Sequence, residues 1–79
     1  MWTEGAVGVP GADGKLVSIK YWVKHYEEPS KYGIDDGRIS KLTLKQDGKV
    51  VANYDRGWDV KPKTPEAEAA LAILMKDYN

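Results

Sequence analysis

The sequence lacks cysteine, phenylalanine and any long apolar run. Without cysteine it can form neither disulfides nor thiolate metal sites, which suits a reducing compartment such as the cytoplasm. No stretch approaches the roughly 20 apolar residues of a membrane span, and the first residues lack the basic start and apolar core of a secretory signal. Three Trp and five Tyr supply the aromatic volume. These features predict a soluble, cytoplasmic protein.

An excess of charge of either sign is also missing. Twelve basic and twelve acidic residues give a net charge of zero, whereas a basic domain is the usual footprint of a nucleic-acid-binding protein. The balance is uneven along the chain, because the segment Lys15–Lys49 has eight basic and five acidic residues. A chain of 79 residues is expected to form one small domain, residues 1–79, with a modest core.

The stretch Arg38–Trp58 predicts a β-hairpin. Two β-rich runs flank Asp47-Gly48, and Asp-Gly between alternating runs is a strong signal for a hairpin turn. A two-residue loop would pair Leu44 with Val51. A three-residue loop with a bulge at Gly48 would instead pair Leu44 with Val50 and leave Val51 on the outer face. We favour the bulged loop because it gathers five side chains on one face, namely Leu42, Leu44, Val50, Ala52 and Tyr54.

Strands before this hairpin and a helix after it complete the predicted fold. Met1–Val9 has the composition of a weak strand, and Lys15–Glu28 alternates as a half-buried strand does. Thr64-Pro65-Glu66 is typical of a helix start, and apolar residues follow it at helical spacing: Ala67, Ala70, Leu71, Leu74, Met75 and Tyr78. We therefore expect an α+β domain, a three- or four-stranded antiparallel sheet (a meander) with one C-terminal helix packed on one face.

The sequence contains no recognisable catalytic or metal-binding motif. His25 is the only histidine, and the chain has no cysteine that could share a metal with it. We therefore interpret His25 as an ordinary strand residue. Asp35-Asp36, with Glu27 and Glu28 nearby, does not have the spacing of a calcium loop and is better explained as turn chemistry. No phosphate loop or nucleophile elbow occurs. We predict that the protein is not an enzyme and uses no metal or cofactor.

Two segments are candidates for contact with a protein partner. The loop Glu28–Gly37 is longer than most connections, and long loops often carry function. The cluster Asp55–Asp59 concentrates polar and aromatic side chains. Because Tyr, Trp and Arg dominate interface hot spots, we take as candidate partner-binding residues Trp22, Tyr26, Tyr32, Ile34, Arg56 and Trp58.

The outer face of the sheet offers a second kind of surface. Lysines for phosphates and a ring for bases are expected there together, and this candidate nucleic-acid face consists of Lys20, Trp22, Lys24, Lys41 and Lys45. The competing interpretation is a solvated face whose lysines discourage pairing at a sheet edge, and the zero net charge favours it. A third hypothesis is a structural homodimer through the sheet edge or through the helix patch Ala69, Ala72 and Ile73.

The stretches YGIDDGRISKL (32–42) and VANYDRGWD (51–59), followed by a helix ending in Tyr78-Asn79, resemble a family of small uncharacterised proteins from bacteriophages and mobile elements of Gram-positive bacteria. The resemblance covers about Tyr21–Asn79 and is most specific over Ala52–Asp59. It implies a bacterial cytosol and an accessory role, and it assigns no catalytic residue. The leading prediction is thus a non-enzymatic accessory domain that binds another protein, with weak DNA binding and homodimerisation as alternatives.

Overall fold

The computed structural model describes residues 2–79 and shows a five-stranded antiparallel sheet with one C-terminal helix. The strands lie in chain order, each paired with the next. They are β1 (Trp2–Pro10), β2 (Leu16–His25), β3 (Ile39–Gln46), β4 (Lys49–Asp55) and β5 (Trp58–Val60), followed by α1 (Pro65–Tyr78). The α+β class, the antiparallel meander and the single helix are confirmed, with five strands in place of the three or four predicted.

The additional strand is β5, which lies between the predicted hairpin and the helix. It pairs with β4 through Asn53–Val60 and Tyr54–Trp58. Arg56 takes a positive φ of 56° at the turn between them. Three residues are too few to show an alternating pattern, so the pairing is decided by the neighbouring strand rather than by local sequence.

The first strand, β1, is paired along its whole length. Trp2–Pro10 pairs with β2 over its whole length, from Trp2–Lys24 to Pro10–Leu16. The weak strand predicted for residues 1–9 therefore joins the sheet as an edge strand, although Met1 itself lies outside the described residues.

The register of the central hairpin differs from both predicted forms. Gln46 pairs with Lys49, so the turn has two residues, Asp47 and Gly48, whose positive φ angles of 53° and 78° fit a type I′ turn. A bulge follows on β4, where Val50 and Val51 together stand opposite Lys45. The predicted bulge exists, but it lies in the strand rather than at Gly48.

This displaced bulge decides which side chains are buried. Beyond it the pairs are Leu44–Ala52 and Leu42–Tyr54, and all four of these residues are buried. Val50 is 46% exposed, whereas Val51 packs against the core. The prediction for the two valines is therefore wrong. The two-residue turn places Val50 opposite Lys45 on the outer face, and the bulge then returns Ala52 and Tyr54 to the inner face.

The core lies between the helix and one face of the sheet, which we call the inner face. The helix contacts β1, β2 and β3. The largest fully buried side chains are Ile19, Ile39, Leu42, Leu44, Leu74, Val9 and Val23. Alternation within each strand places apolar side chains on this inner face and turns charged side chains to the opposite, outer face.

The helix begins as predicted. Thr64 is its N-cap, and its hydroxyl accepts a hydrogen bond from the Ala67 backbone N–H at 3.1 Å. Ala67, Ala70 and Leu74 are buried in the predicted stripe, while Ile73 on the other side is 37% exposed. The spacing of apolar residues thus identified the packed face correctly.

Leu74→Ala should destabilise the fold by about 2–5 kcal/mol, because it opens a cavity beneath the helix. Urea unfolding followed by circular dichroism measures the change. Ile73→Ala is the matched control on the exposed side of the same helix and should cost less than about 1 kcal/mol. Equal losses in the two variants would contradict the observed orientation of the helix.

Candidate functional site

The five residues of the candidate nucleic-acid face lie together on the outer face of β2 and β3. Lys20 stands directly opposite Lys45, and Lys24 stands directly opposite Lys41. Trp22 lies midway between the two lysine pairs, opposite Thr43. We call this cluster the lysine face, and it consists of Lys20, Trp22, Lys24, Lys41 and Lys45.

The opposed lysines carry an energetic cost. Like charges directly opposite one another across two strands destabilise a sheet. Among the described residues, the ion pairs involve Asp55, which lies 3.7 Å from Lys41 and 3.8 Å from Arg56. Within residues 2–79, Lys20, Lys24 and Lys45 thus have no carboxylate at ion-pair distance to offset the repulsion.

The topology removes the interpretation that these lysines protect a sheet edge. β2 lies between β1 and β3, and β3 lies between β2 and β4, so neither strand has an exposed edge. Edge protection requires charge on the outermost strands. The lysine pairs therefore need another explanation, either as a solvated surface or as a binding surface.

Aromatic rings accompany the lysines. The Lys45 ammonium lies 5.5 Å from the centre of the Trp22 ring, and the Lys24 ammonium lies 5.9 Å from the Trp2 ring and 5.7 Å from the Tyr26 ring. Trp2 is 56% exposed and Tyr26 is 48% exposed. The outer face thus presents cations and flat apolar surface side by side.

Acidic residues flank this face on the two neighbouring strands, β1 and β4. Glu4 on β1 pairs with Trp22, and Asp55 on β4 pairs with Lys41. A series of side-chain hydrogen bonds runs from β3 to β5. The Thr43 hydroxyl donates to Asn53 at 2.8 Å, and the Asn53 amide donates to Asp59 at 3.2 Å. Positive charge on this face is therefore concentrated on β2 and β3.

A groove lies at one end of the lysine face, and we call it the corner groove. Its lining comes from β2, the 28–37 loop, β3 and the β4–β5 turn: Lys24, Tyr26, Ser30, Tyr32, Ser40, Lys41 and Arg56. Tyr32 is 51% exposed. Three of the six candidate partner-binding residues, Tyr26, Tyr32 and Arg56, thus meet at one place.

The other three candidate partner-binding residues lie elsewhere. Ile34 is only 3% exposed and belongs to the core, so it cannot serve as the surface anchor that the sequence indicated. Trp58 is half-buried and packs edge-on against Tyr54, with ring centres 5.0 Å apart. Trp22 belongs to the lysine face.

The 28–37 loop is held in place by the end of the helix. The Asn79 side-chain amide donates to the Ile34 carbonyl at 3.0 Å, and its oxygen accepts from the Ile39 backbone N–H at 2.9 Å. A Cβ on Gly37 would collide with the Asn79 side chain. Sequence reasoning missed this contact, because nothing local to Asn79 indicates a partner 40 or 45 positions away.

Tyr54 on β4 also anchors the 28–37 loop. The Tyr54 hydroxyl donates to the Tyr32 carbonyl at 2.8 Å. Burial, together with the carboxylates of Asp35 and Asp36, raises the pKa of Tyr54 from its ordinary value of 10.0, so the hydroxyl keeps its proton. The 28–37 loop is therefore anchored at both Tyr32 and Ile34, beside the corner groove.

His25 lies at the end of β2 in a cluster of polar rings. Its Nε2 lies 3.3 Å from the Thr3 hydroxyl, and its ring centre is 4.9 Å from that of Tyr78. Burial, assisted by positive charge that includes the Arg38 guanidinium, lowers the pKa of His25 from 6.5. The surroundings contain no arrangement of three or more potential metal ligands within residues 2–79.

Comparison with known proteins gives a family but no activity. The family model described as "Domain of unknown function (DUF7678)" matches residues 1–79. No curated protein and no solved structure matches the chain. No helix within residues 2–79 has the length and apolar character needed to cross a membrane.

The lowered pKa of His25 predicts a loss of stability in acid. The unfolded chain, with a histidine pKa near 6.5, binds the proton more readily than the folded state, so this contribution is complete above about pH 6.5 and is lost as the pH falls through the folded-state pKa. The urea midpoint should be lower at about pH 5.5 than at about pH 7.5, and His25→Gln should reduce the difference. An unchanged difference in the variant would contradict this assignment.

Proposed function

This chain belongs to the DUF7678 family, and we propose that it is a non-catalytic binding module whose lysine face takes single-stranded nucleic acid. The observation that carries the proposal is the two opposed lysine pairs that flank Trp22 on the central strands. Opposed lysines cost stability in the free protein. A phosphate backbone laid between them would replace the repulsion with attraction and would release counterions.

The rings favour a single strand over a duplex. Bases stack on exposed aromatic side chains irrespective of their identity, but only when they are not already stacked in a helix. Trp22 lies between the lysine pairs, and Trp2 and Tyr26 both lie within 6 Å of the Lys24 ammonium. A base on one of these rings would bring its phosphate to a neighbouring lysine.

The geometry suggests how a strand would lie. Lys20 and Lys24 are four residues apart on β2, which is about 13 Å along an extended strand, with Trp22 between them. Lys45 covers the Trp22 ring in the free protein and would move to a phosphate on binding. Losing an exposed cation–π contact costs about 0.5–1 kcal/mol. A stacked base contributes about 1–3 kcal/mol, so the exchange is favourable.

The flanking carboxylates limit the reach of the attraction. Zero net charge gives little long-range steering, and Asp55 already neutralises part of Lys41. We therefore propose weak, short-range binding of a few nucleotides. A bacterial cytosol, the setting implied by the resemblance in sequence, would supply such strands.

Fluorescence anisotropy of a labelled oligothymidylate titrated with the protein tests the proposal. We expect micromolar binding at low salt that exceeds binding to a duplex of equal length. Contact with about three phosphates predicts a slope of roughly −2 in log K against log salt concentration, at about −0.7 per phosphate of a single strand. Trp22→Ala should lower the affinity about 5- to 150-fold, equivalent to about 1–3 kcal/mol.

Lys45→Glu separates function from stability. It should abolish binding and yet leave the stability of the fold within about 1 kcal/mol, because the new attraction to Lys20 offsets the lost cation–π contact with Trp22. Lys63→Glu makes the same charge change at an exposed site outside the sheet and should leave most of the affinity. Absence of binding at low salt, or equal effects of the two variants, would overturn the proposal.

The corner groove supports a second candidate function, the binding of a protein partner. Tyr26, Tyr32 and Arg56 converge there beside the anchored 28–37 loop, and these residue types dominate interface hot spots. The cationic lining from Lys24, Lys41 and Arg56 would suit an acidic segment of the partner.

Affinity capture from bacterial lysate, with matched variants, tests this second candidate. A partner should be recovered by the wild type and by Lys20→Ala, which lies outside the groove, and should be lost with Tyr32→Ala or Arg56→Ala. Equal recovery by all four proteins would show that the groove is not the contact.

A further inference from the structure

We infer that two copies of this chain pair through β1 to form one continuous ten-stranded antiparallel sheet. The inference concerns the edge of the sheet and does not depend on the proposed ligand of the lysine face. β1 is an outermost strand that is paired on one side only, by β2. Its other side presents unpaired backbone donors and acceptors, which a further strand would satisfy.

β1 has few of the devices that normally prevent such pairing, and its one charged side chain is Glu4. Short length, lysine, interior proline and bulges blunt natural edge strands. β1 has nine residues, no lysine, its single proline at the last position, and an unbroken register with β2. The opposite edge strand, β5, has three residues, and the other three strand pairings each contain a register shift. Pairing is therefore expected at β1 and not at β5.

The sequence of β1 suits a second copy of itself. A two-fold axis at Ala6 uses all nine residues, because it pairs each position with its mirror position in the strand. Glu4 then stands opposite Gly8, and Trp2 stands opposite Pro10. Axes at Gly5 or Val7 would shorten the pairing, and an axis at Glu4 would oppose two carboxylates. Self-pairing about Ala6 is thus the longest arrangement and avoids repulsion.

The small side chains of β1 leave the edge accessible. Gly5, Ala6 and Gly8 are all exposed. Gly5 lies against Tyr21 on the inner side, where a Cβ would lie 2.8 Å from the hydroxyl oxygen and would force the ring to shift. Packing against Tyr21 thus supports β1 at its middle, next to the proposed axis.

Sedimentation equilibrium of the full chain at about 10–500 µM tests the inference, and we expect the mass to rise from one chain of 8.8 kDa toward two. Ala6→Lys opposes two ammonium groups at the axis and should weaken dimerisation by up to about fivefold. Ile73→Lys, the same kind of change on the exposed helix face, should dimerise as the wild type does. Unfolding midpoints of all three proteins confirm that each remains folded.

Cross-linking supplies a second measurement, because the chain has no cysteine of its own. Under mild oxidation Ala6→Cys should form a covalent dimer, whereas Ile73→Cys should not, since only the first places two sulfurs across the axis. A wild type that stays at one chain across the concentration range would overturn the inference and leave the edge to a strand of another protein. Dimerisation lost with Ile73→Lys and kept with Ala6→Lys would overturn it in favour of the helix face.

Discussion

Packing of the helix against β1, β2 and β3 is the constraint on which the rest of the molecule depends. Leu74, Ala70 and buried aliphatic residues from β1 to β4 form the core. Because side chains alternate in a strand, burying Val23 and Leu42 turns their neighbours Lys24 and Lys41 outward. The same antiparallel register that aligns the apolar pairs aligns the lysine pairs. The basic face and the core thus both follow from the strand register. Repulsion between the opposed lysines is the destabilising consequence of that register.

The sheet preserves its buried face through local irregularities. The bulge on β4 follows a two-residue turn whose unmodified register would have turned Asn53 and Asp55 toward the core. The bulge on β3 places both Ile39 and Ser40 in buried positions, and the Ser40 hydroxyl donates to the Lys24 carbonyl at 3.3 Å. Each bulge thus corrects the register where the burial pattern and the hydrogen-bond ladder disagree. The bulge at Ser40 also lies in the lining of the corner groove, where the lysine face and the 28–37 loop meet.

The candidate site was partly visible in the sequence. The period of β2 and β3 was sufficient to place Lys20, Trp22, Lys24, Lys41 and Lys45 on one face, because alternation is a local property. That the lysines stand in opposed pairs on interior strands was not visible, since it depends on the bulge positions and on the number of strands. Ile34 illustrates the reverse error. Its loop has the composition of an exposed connection, yet the side chain enters the core because Asn79 and Tyr54 hold the loop against the sheet.

The sequence by itself determined the α+β class, the capped C-terminal helix with its packed stripe, the Asp47-Gly48 turn and the division of β2 into an apolar and a basic-aromatic face. These features follow from periodicity, capping and turn chemistry, which act over a few residues. Only the tertiary structure decided the strand register, the fifth strand, the burial of Ile34, the corner groove and the unprotected edge at β1. Each of these features depends on contacts between residues far apart in the chain. The free energy of such contacts is defined only when the complete fold brings the two surfaces together.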